Sequence, residues 1–296
     1  MKGKLIALML LVGLTLGFVS WSAVVHHGGH ISNENFKLER IGSARSVKLI
    51  IVYDNNPYDP RLKAAWGFAC YINVEGTKIL FDTGGDPKIL LDNMEELNIP
   101  IEEIQIIVLS HIHGDHAGGL FGVIKKNNRV KVYLPASFPE DFKSKVKRFG
   151  CEVVEVAKPL KVCDGVMSTG ELGARIKEQS LIINSSMGLI VITGCAHPGV
   201  VNIVKKAMEL TGESVYLVVG GFHLGGFSKE RIEAIVGQLR SLNVTKVAPC
   251  HCSGDLARGV FKDSFNANYV KAGVGKSLEI EDSTRYVAEL FIVRRA

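Results

Sequence analysis

Between Ser110 and Leu120 the chain places three histidines and an aspartate within six positions, as His111-Ile112-His113-Gly114-Asp115-His116. Imidazoles and a carboxylate packed this densely are costly to take out of water unless each finds a polar partner. A metal ion is such a partner. His111 and His113, one residue apart, can point to the same side of an extended loop and reach one ion. Asp115 and His116, past the turn at Gly114, can face a second ion at the roughly 3.5–4 Å spacing of two-metal sites. Gly118 and Gly119 let the backbone turn at once into a helix. Two divalent metal ions are therefore expected. Nitrogen and oxygen ligands suit zinc, and iron and manganese are also compatible. A bound zinc ion lowers the pKa of its water to about 7 and polarises a carbonyl or phosphoryl oxygen, and Asp115 is the first candidate to hold that water and shuttle its proton.

The segment resembles the metallo-β-lactamase-fold superfamily, whose His-x-His-x-Asp-His signature is matched by His111, His113, Asp115 and His116. Further pieces agree in order. Phe81-Asp82-Thr83-Gly84 is similar to the superfamily's strand-end aspartate, which implies that Asp82 orients a histidine ligand. Gly194-Cys195-Ala196-His197-Pro198-Gly199 implies that His197 completes a three-histidine set on the first ion. Pro249-Cys250-His251-Cys252-Ser253-Gly254 implies that His251 serves the second. Many members carry an aspartate bridging the metals where this chain has Val219-Gly220-Gly221-Phe222-His223-Leu224. That combination resembles the branch labelled dihydropteroate-synthase-like, or methanopterin-type aminobenzene ribofuranosyl phosphate synthases. His223 is then a ligand of the second ion or a group facing substrate, and the second candidate for proton transfer. The resemblance spans roughly residues 47–275 and implies an α/β (α+β) fold, a four-layer αββα sandwich of two mixed sheets flanked by helices.

The elements that must position these residues are legible in outline. Residues 47–53 read as a strand, and residues 67–74 and 78–81 as a hairpin across Glu75-Gly76. Asp86-Pro87 is an N-cap with proline in the first turn, opening an amphipathic helix that ends near Asn98. A short apolar strand at residues 105–109 runs directly into the histidine loop. Strands at 130–134 and 151–156 flank a charged helix at 139–148, and residues 181–184 and 188–193 form a second hairpin. Strand, loop and helix then repeat, with helices at 200–210, at 229–242 and after Ser253, and strands at 215–219 and 244–248. Each of these strands ends at a loop carrying a histidine.

The chain has 296 residues, 47% hydrophobic and 22% charged, which excludes wholesale disorder and allows a sizeable core. Its formal charge of +5 is scattered, with no basic stripe, so nucleic acid is not an expected partner and a small-molecule substrate is. Residues 5–25 are uncharged and mostly apolar behind Lys2 and Lys4, which reads as a cleaved signal peptide or an uncleaved membrane anchor and places the rest outside the cytoplasm. The organisation expected is residues 1–25 as that segment, 26–45 as a linker containing His26, His27 and His30, and 46–296 as the metallo-β-lactamase-like domain. Six cysteines are too few for a disulfide framework. Cys195, Cys250 and Cys252 lie beside ligand positions, where packing around the site is favoured over soft ligation. The polar loop at residues 53–60 is expected at the rim of the cleft, and Lys276 as a cation for an anionic substrate. Gly273-Val274-Gly275-Lys276-Ser277 lacks the first spaced glycine of a phosphate loop, which excludes that motif. The function expected is a metal-dependent hydrolase acting on an ester, lactone, amide or phosphoester. The branch resemblance implies an alternative, a transferase forming a C–N bond between a pterin methyl group and an aminobenzoate-type amine. A metal-binding or sensing protein without catalysis is the third reading.

Overall fold

The computed structural model describes residues 41–281. In chain order the first half comprises β1 (Ser46–Asp54), β2 (Phe68–Val74), β3 (Thr77–Phe81), α1 (Pro87–Glu96), β4 (Ile106–Val108), α2 (Gly114–Ala117), α3 (Leu120–Lys126), β5 (Lys131–Pro135), α4 (Glu140–Arg148) and β6 (Glu152–Val156). The second comprises β7 (Leu160–Cys163), β8 (Val166–Ser168), β9 (Leu181–Ser185), β10 (Gly188–Thr193), α5 (Val200–Thr211), β11 (Val215–Gly221), α6 (Lys229–Ser241), β12 (Lys246–Cys250) and α7 (Asp255–Phe265). A last strand, β13 (Ser277–Glu281), returns to pair antiparallel with β1.

These strands build two mixed sheets, ordered β13-β1-β2-β3-β4-β5-β6 and β12-β11-β10-β9-β8-β7. Alternation along the strands separates the layers. Leu49 and Ile51 of β1 join Ile190 and Ile192 of β10 and Leu217 and Val219 of β11 in the core between the sheets. Ile50 and Val52 instead pack with Leu90, Met94, Leu120 and Val146 of α1, α3 and α4. On the other outer face, Leu189, Val191 and Val218 meet α5, α6 and α7. The four layers of the αββα sandwich are therefore present. Strands buried on both faces read as continuous apolar runs, which is why they were visible in sequence. The short β7 and β8 and the half-exposed β13 carry no such run and are found only in the fold.

Strands β3 to β6 run parallel, as do β10 to β12, so the loops after β3, β4, β10, β11 and β12 leave each sheet in a common direction. Carboxyl ends of parallel strands are where such folds place their binding loops. The histidine loop after β4 lies close on the turn after β3. A Cβ on Gly119 would fall 2.1 Å from the Thr83 carbonyl oxygen, and one on Gly118 would fall 2.6 Å from that of Gly85. Thr83 also donates from its N–H and its hydroxyl to the His116 carbonyl, at 2.7 and 2.8 Å.

The expected extracytoplasmic placement is corrected. It rested on the hydropathy of residues 5–25 alone, which lie outside the described residues, as do residues 26–40 with their histidines. Among the described residues no helix is long and apolar enough to cross a membrane.

Two glycine substitutions test the loop packing against ordinary helix propensity. Gly119→Ala should destabilise the protein by about 1–3 kcal/mol because the backbone around Thr83 must move. Gly237→Ala, inside α6 with open space around it, should stabilise by about 0.5–1 kcal/mol. Urea midpoints at unchanged m-value measure both, and equal midpoints would refute the close approach.

Candidate metal centre

His111, His116, His197 and His251 are each fixed through Nδ1, which leaves Nε2 free to turn inward. His116, fully buried, faces the Asp82 carboxylate with Nδ1 at 2.7 Å. Asp82 is itself held by the Ser110 N–H at 2.6 Å and the Ser110 hydroxyl at 2.7 Å. That hydroxyl also meets His111 Nδ1 at 2.9 Å. His251 Nδ1 faces Asn55 Oδ1 at 2.9 Å, while its N–H donates to Asp54 at 3.0 Å. His197 Nδ1 faces the Glu178 carboxylate at 2.9 Å. Asp82, Ala196, His223 and His251 all sit at positive φ, between 47° and 58°. Such conformations persist where the surroundings hold them and cluster at functional sites.

The free ends converge in two groups. His111, His113 and His197 form one, with ring centroids 4.7 to 5.0 Å apart and His111 Nε2 3.1 Å from His113 Nδ1. His116, His251 and Asp115 form the other, with Nε2 of His116 and His251 at 3.2 Å and Asp115 Oδ2 3.7 and 3.3 Å from them. The groups adjoin, since the His111 and His116 rings are 4.2 Å apart. His223 is exposed and lies outside both groups, its ring 4.5 Å from that of His197.

The donors fit a metal. Asp82 and Asn55 oxygens accept from Nδ1 of His116 and His251, which assigns the protons there and leaves both Nε2 lone pairs facing each other at 3.2 Å. Two lone pairs at that distance repel unless a cation or a proton shared with Asp115 lies between them. Burial pushes the His111 and His116 imidazoles down to about 3, so both stay neutral and keep a lone pair for a ligand. Burial raises the Glu178 carboxyl, but hydrogen bonds from His197 and the neighbouring N–H groups outweigh it and hold the group at about 2. Asp115 behaves likewise: burial raises it, and the hydrogen bond with His251 outweighs that and keeps it below the usual carboxylate range. Burial lifts Asp82 to about 7 against the lowering effects of His111 and Ser110.

Four residues take places at the site that the sequence did not assign to them. Glu178 accepts from the N–H groups of Cys195, Ala196 and His197 at 3.0, 2.8 and 2.8 Å as well as from the His197 ring. It is buried three residues before β9, in a Lys-Glu-Gln-Ser stretch with nothing local to distinguish it from a surface turn. Asp54 and Asn55, in the polar loop expected at the rim of the cleft, are turned onto His251. Cys195, expected as packing, has its Sγ 3.1 Å from His116 Nε2.

Known proteins resemble this chain to different depths. The metallo-beta-lactamase superfamily profile matches residues 67–152. The chain is 29% identical over 292 aligned positions to a 7,8-dihydropterin-6-methyl-4-(beta-D-ribofuranosyl)-aminobenzene-5'-phosphate synthase of Methanocaldococcus jannaschii, covering 82% of this chain and 99% of that protein. It is 31% identical to an uncharacterised protein of the same organism, covering 78% of this chain and 99% of the relative. A solved structure described as a metal-dependent hydrolase of the beta-lactamase superfamily superposes with a TM-score of 0.67 at 26% identity, over 80% of this chain and all of that one.

Glu178→Gln keeps the shape of the side chain and removes its charge. Metal affinity should fall about 10–100-fold, as when a ligand's supporting carboxylate is lost. Zinc titration of the wild type and the variant measures it, with circular dichroism to show that both are folded, and unchanged affinity would remove Glu178 from the centre.

Proposed function

The chain belongs to the metallo-beta-lactamase superfamily, and on that footing we propose that it is a metal-dependent synthase joining an aromatic amine to the methyl carbon of an activated pterin. The observation that carries this reading is the near end-to-end likeness to the pterin–aminobenzene synthase. His111, His113 and His197 would hold one ion, and Asp115, His116 and His251 the other. A divalent pair bound there supplies positive charge to a leaving diphosphate and to polarised oxygen atoms.

The chain's own groups can do the rest. In the reaction the amine nitrogen bonds to the pterin methylene, the carbon–oxygen bond to diphosphate breaks with its electron pair going to oxygen, and the amine gives up a proton. Asp115, ionised and partly open to solvent, is the base for that proton, with His223 at the mouth as the second acceptor. Trp66 stands 61% exposed with its ring 5.0 Å from that of His251, a free aromatic face beside the centre on which a flat heterocycle can stack. Tyr58, three residues after Asn55, holds Lys276 Nζ 3.4 Å from its hydroxyl, a cation for a phosphate on the incoming amine.

The second reading is a hydrolase, favoured by the likeness to the hydrolase structure. The two readings separate in one assay on the metal-loaded full chain. A synthase releases diphosphate from a dihydropterin methyl diphosphate only when 4-aminobenzoate or an aminobenzene ribofuranosyl phosphate is present, and condensed product appears. A hydrolase turns over ester, lactone or phosphodiester substrates with no amine added. His113→Ala should abolish turnover in either case without unfolding the protein. Stacking on an aromatic ring is worth about 1–3 kcal/mol, so Trp66→Ala should raise KM for the pterin roughly tenfold and leave kcat within a few-fold. Turnover that survives complete metal removal would sink both readings.

A further inference from the structure

β11 ends in Gly220-Gly221, packed against the loops that carry Cys195 and Cys252. A Cβ on Gly221 would lie 2.4 Å from the Gly194 carbonyl oxygen and 2.7 Å from Cys252 Sγ. No side chain can enter from that strand. The space between the histidine groups is filled from the neighbouring loop after β10, by Cys195. Its Sγ lies within 4.8 Å of the ligand atoms of His111 and His197, and equally within 4.8 Å of those of His116 and His251. It is 3.1 Å from His116 Nε2 and almost fully buried. The Glu178 carboxylate fixes it there, gripping the Cys195 N–H together with the N–H and ring of His197.

We propose that Cys195 is the shared anionic ligand of this centre, its thiolate standing between the two histidine groups beside the glycine end of β11. The proposal rests on the metal-centre reading above. It adds one negative charge to a donor set otherwise made of neutral imidazoles and Asp115, and it changes the character of the site. A thiolate is a soft ligand, so the centre selects zinc, cobalt or ferrous iron over manganese or magnesium. Cys252 is the competing thiol. Its Sγ, with Cys195 and His223, forms a third donor group whose atoms also lie within 4.8 Å of one another, but it belongs to neither histidine group. Cys195 alone is common to all three.

The test is cobalt(II) titration of the metal-stripped full chain under a phosphine reductant, read by absorption. Ligand-field bands report that cobalt has bound, and a near-ultraviolet thiolate-to-cobalt charge-transfer band reports sulfur on the metal. The expected result is that wild type and Cys252→Ser show the charge-transfer band and Cys195→Ser loses it while still binding cobalt. The preference for zinc over manganese should also fall about tenfold or more in Cys195→Ser. A charge-transfer band that persists in Cys195→Ser, or vanishes in Cys252→Ser, overturns the proposal. Ligand-field bands without charge transfer in the wild type also overturn it but leave the metal centre standing. No cobalt binding at all overturns both. X-ray absorption of the zinc-loaded wild type covers the case in which Cys195→Ser does not fold. A sulfur scatterer at about 2.3 Å beside the nitrogen shell is expected, and a shell of nitrogen and oxygen alone refutes the thiolate.

Discussion

Lone pairs on neutral imidazoles repel when they are brought face to face, and this chain buries several of them in that arrangement. The Nε2 atoms of His116 and His251 are 3.2 Å apart, and each ring is held from behind by an oxygen that fixes its proton on the far side. Burial strengthens the conflict at His116 by disfavouring its charged imidazolium, while at His251 Asp115 and the neighbouring negative groups outweigh burial and favour the charged form. The arrangement is stable only around a cation or a shared proton. Asp82, Ser110, Asn55 and Glu178 all hold histidines in place against that repulsion.

The sandwich supplies the rigidity this requires. Parallel strands in both sheets end on the same side, so five loops meet although their residues are scattered from Asp82 to His251. Three separate apolar layers fix the strands that carry them. The loops are short and closely packed, and at Gly119 and Gly221 the backbones approach so nearly that a methyl group would not fit. Left-handed backbone at Asp82, Ala196, His223 and His251 aims side chains that an ordinary strand end would direct elsewhere. A site strained in this way depends on the stability of the layers beneath it.

The chemistry around the two histidine groups is asymmetric. On one side Trp66 offers an exposed aromatic face beside His251, and on the other His223 is exposed beside His197. A flat heterocycle and a second reactant can thus approach from different directions. That suits a joining reaction as well as a hydrolysis, and it accords with a relative named as a synthase and a structural neighbour described as a hydrolase.

The sequence by itself determined the layered α/β architecture, because strands buried on both faces must be continuously apolar, and it determined the histidine loop, because four metal-binding side chains within six positions are a local pattern. It also marked Asp82, His197 and His251 through short motifs at strand ends. It could not show Glu178, whose partners lie 17 to 19 residues away across a turn, or that Asp54 and Asn55 serve a histidine 197 and 196 residues distant. Nor could it decide which side chain stands between the two histidine groups. Only the packing of the loop after β10 against the glycine end of β11 puts the Cys195 sulfur there, because closeness between chain segments distant in sequence is set by the sheets and not by the residues' own neighbours.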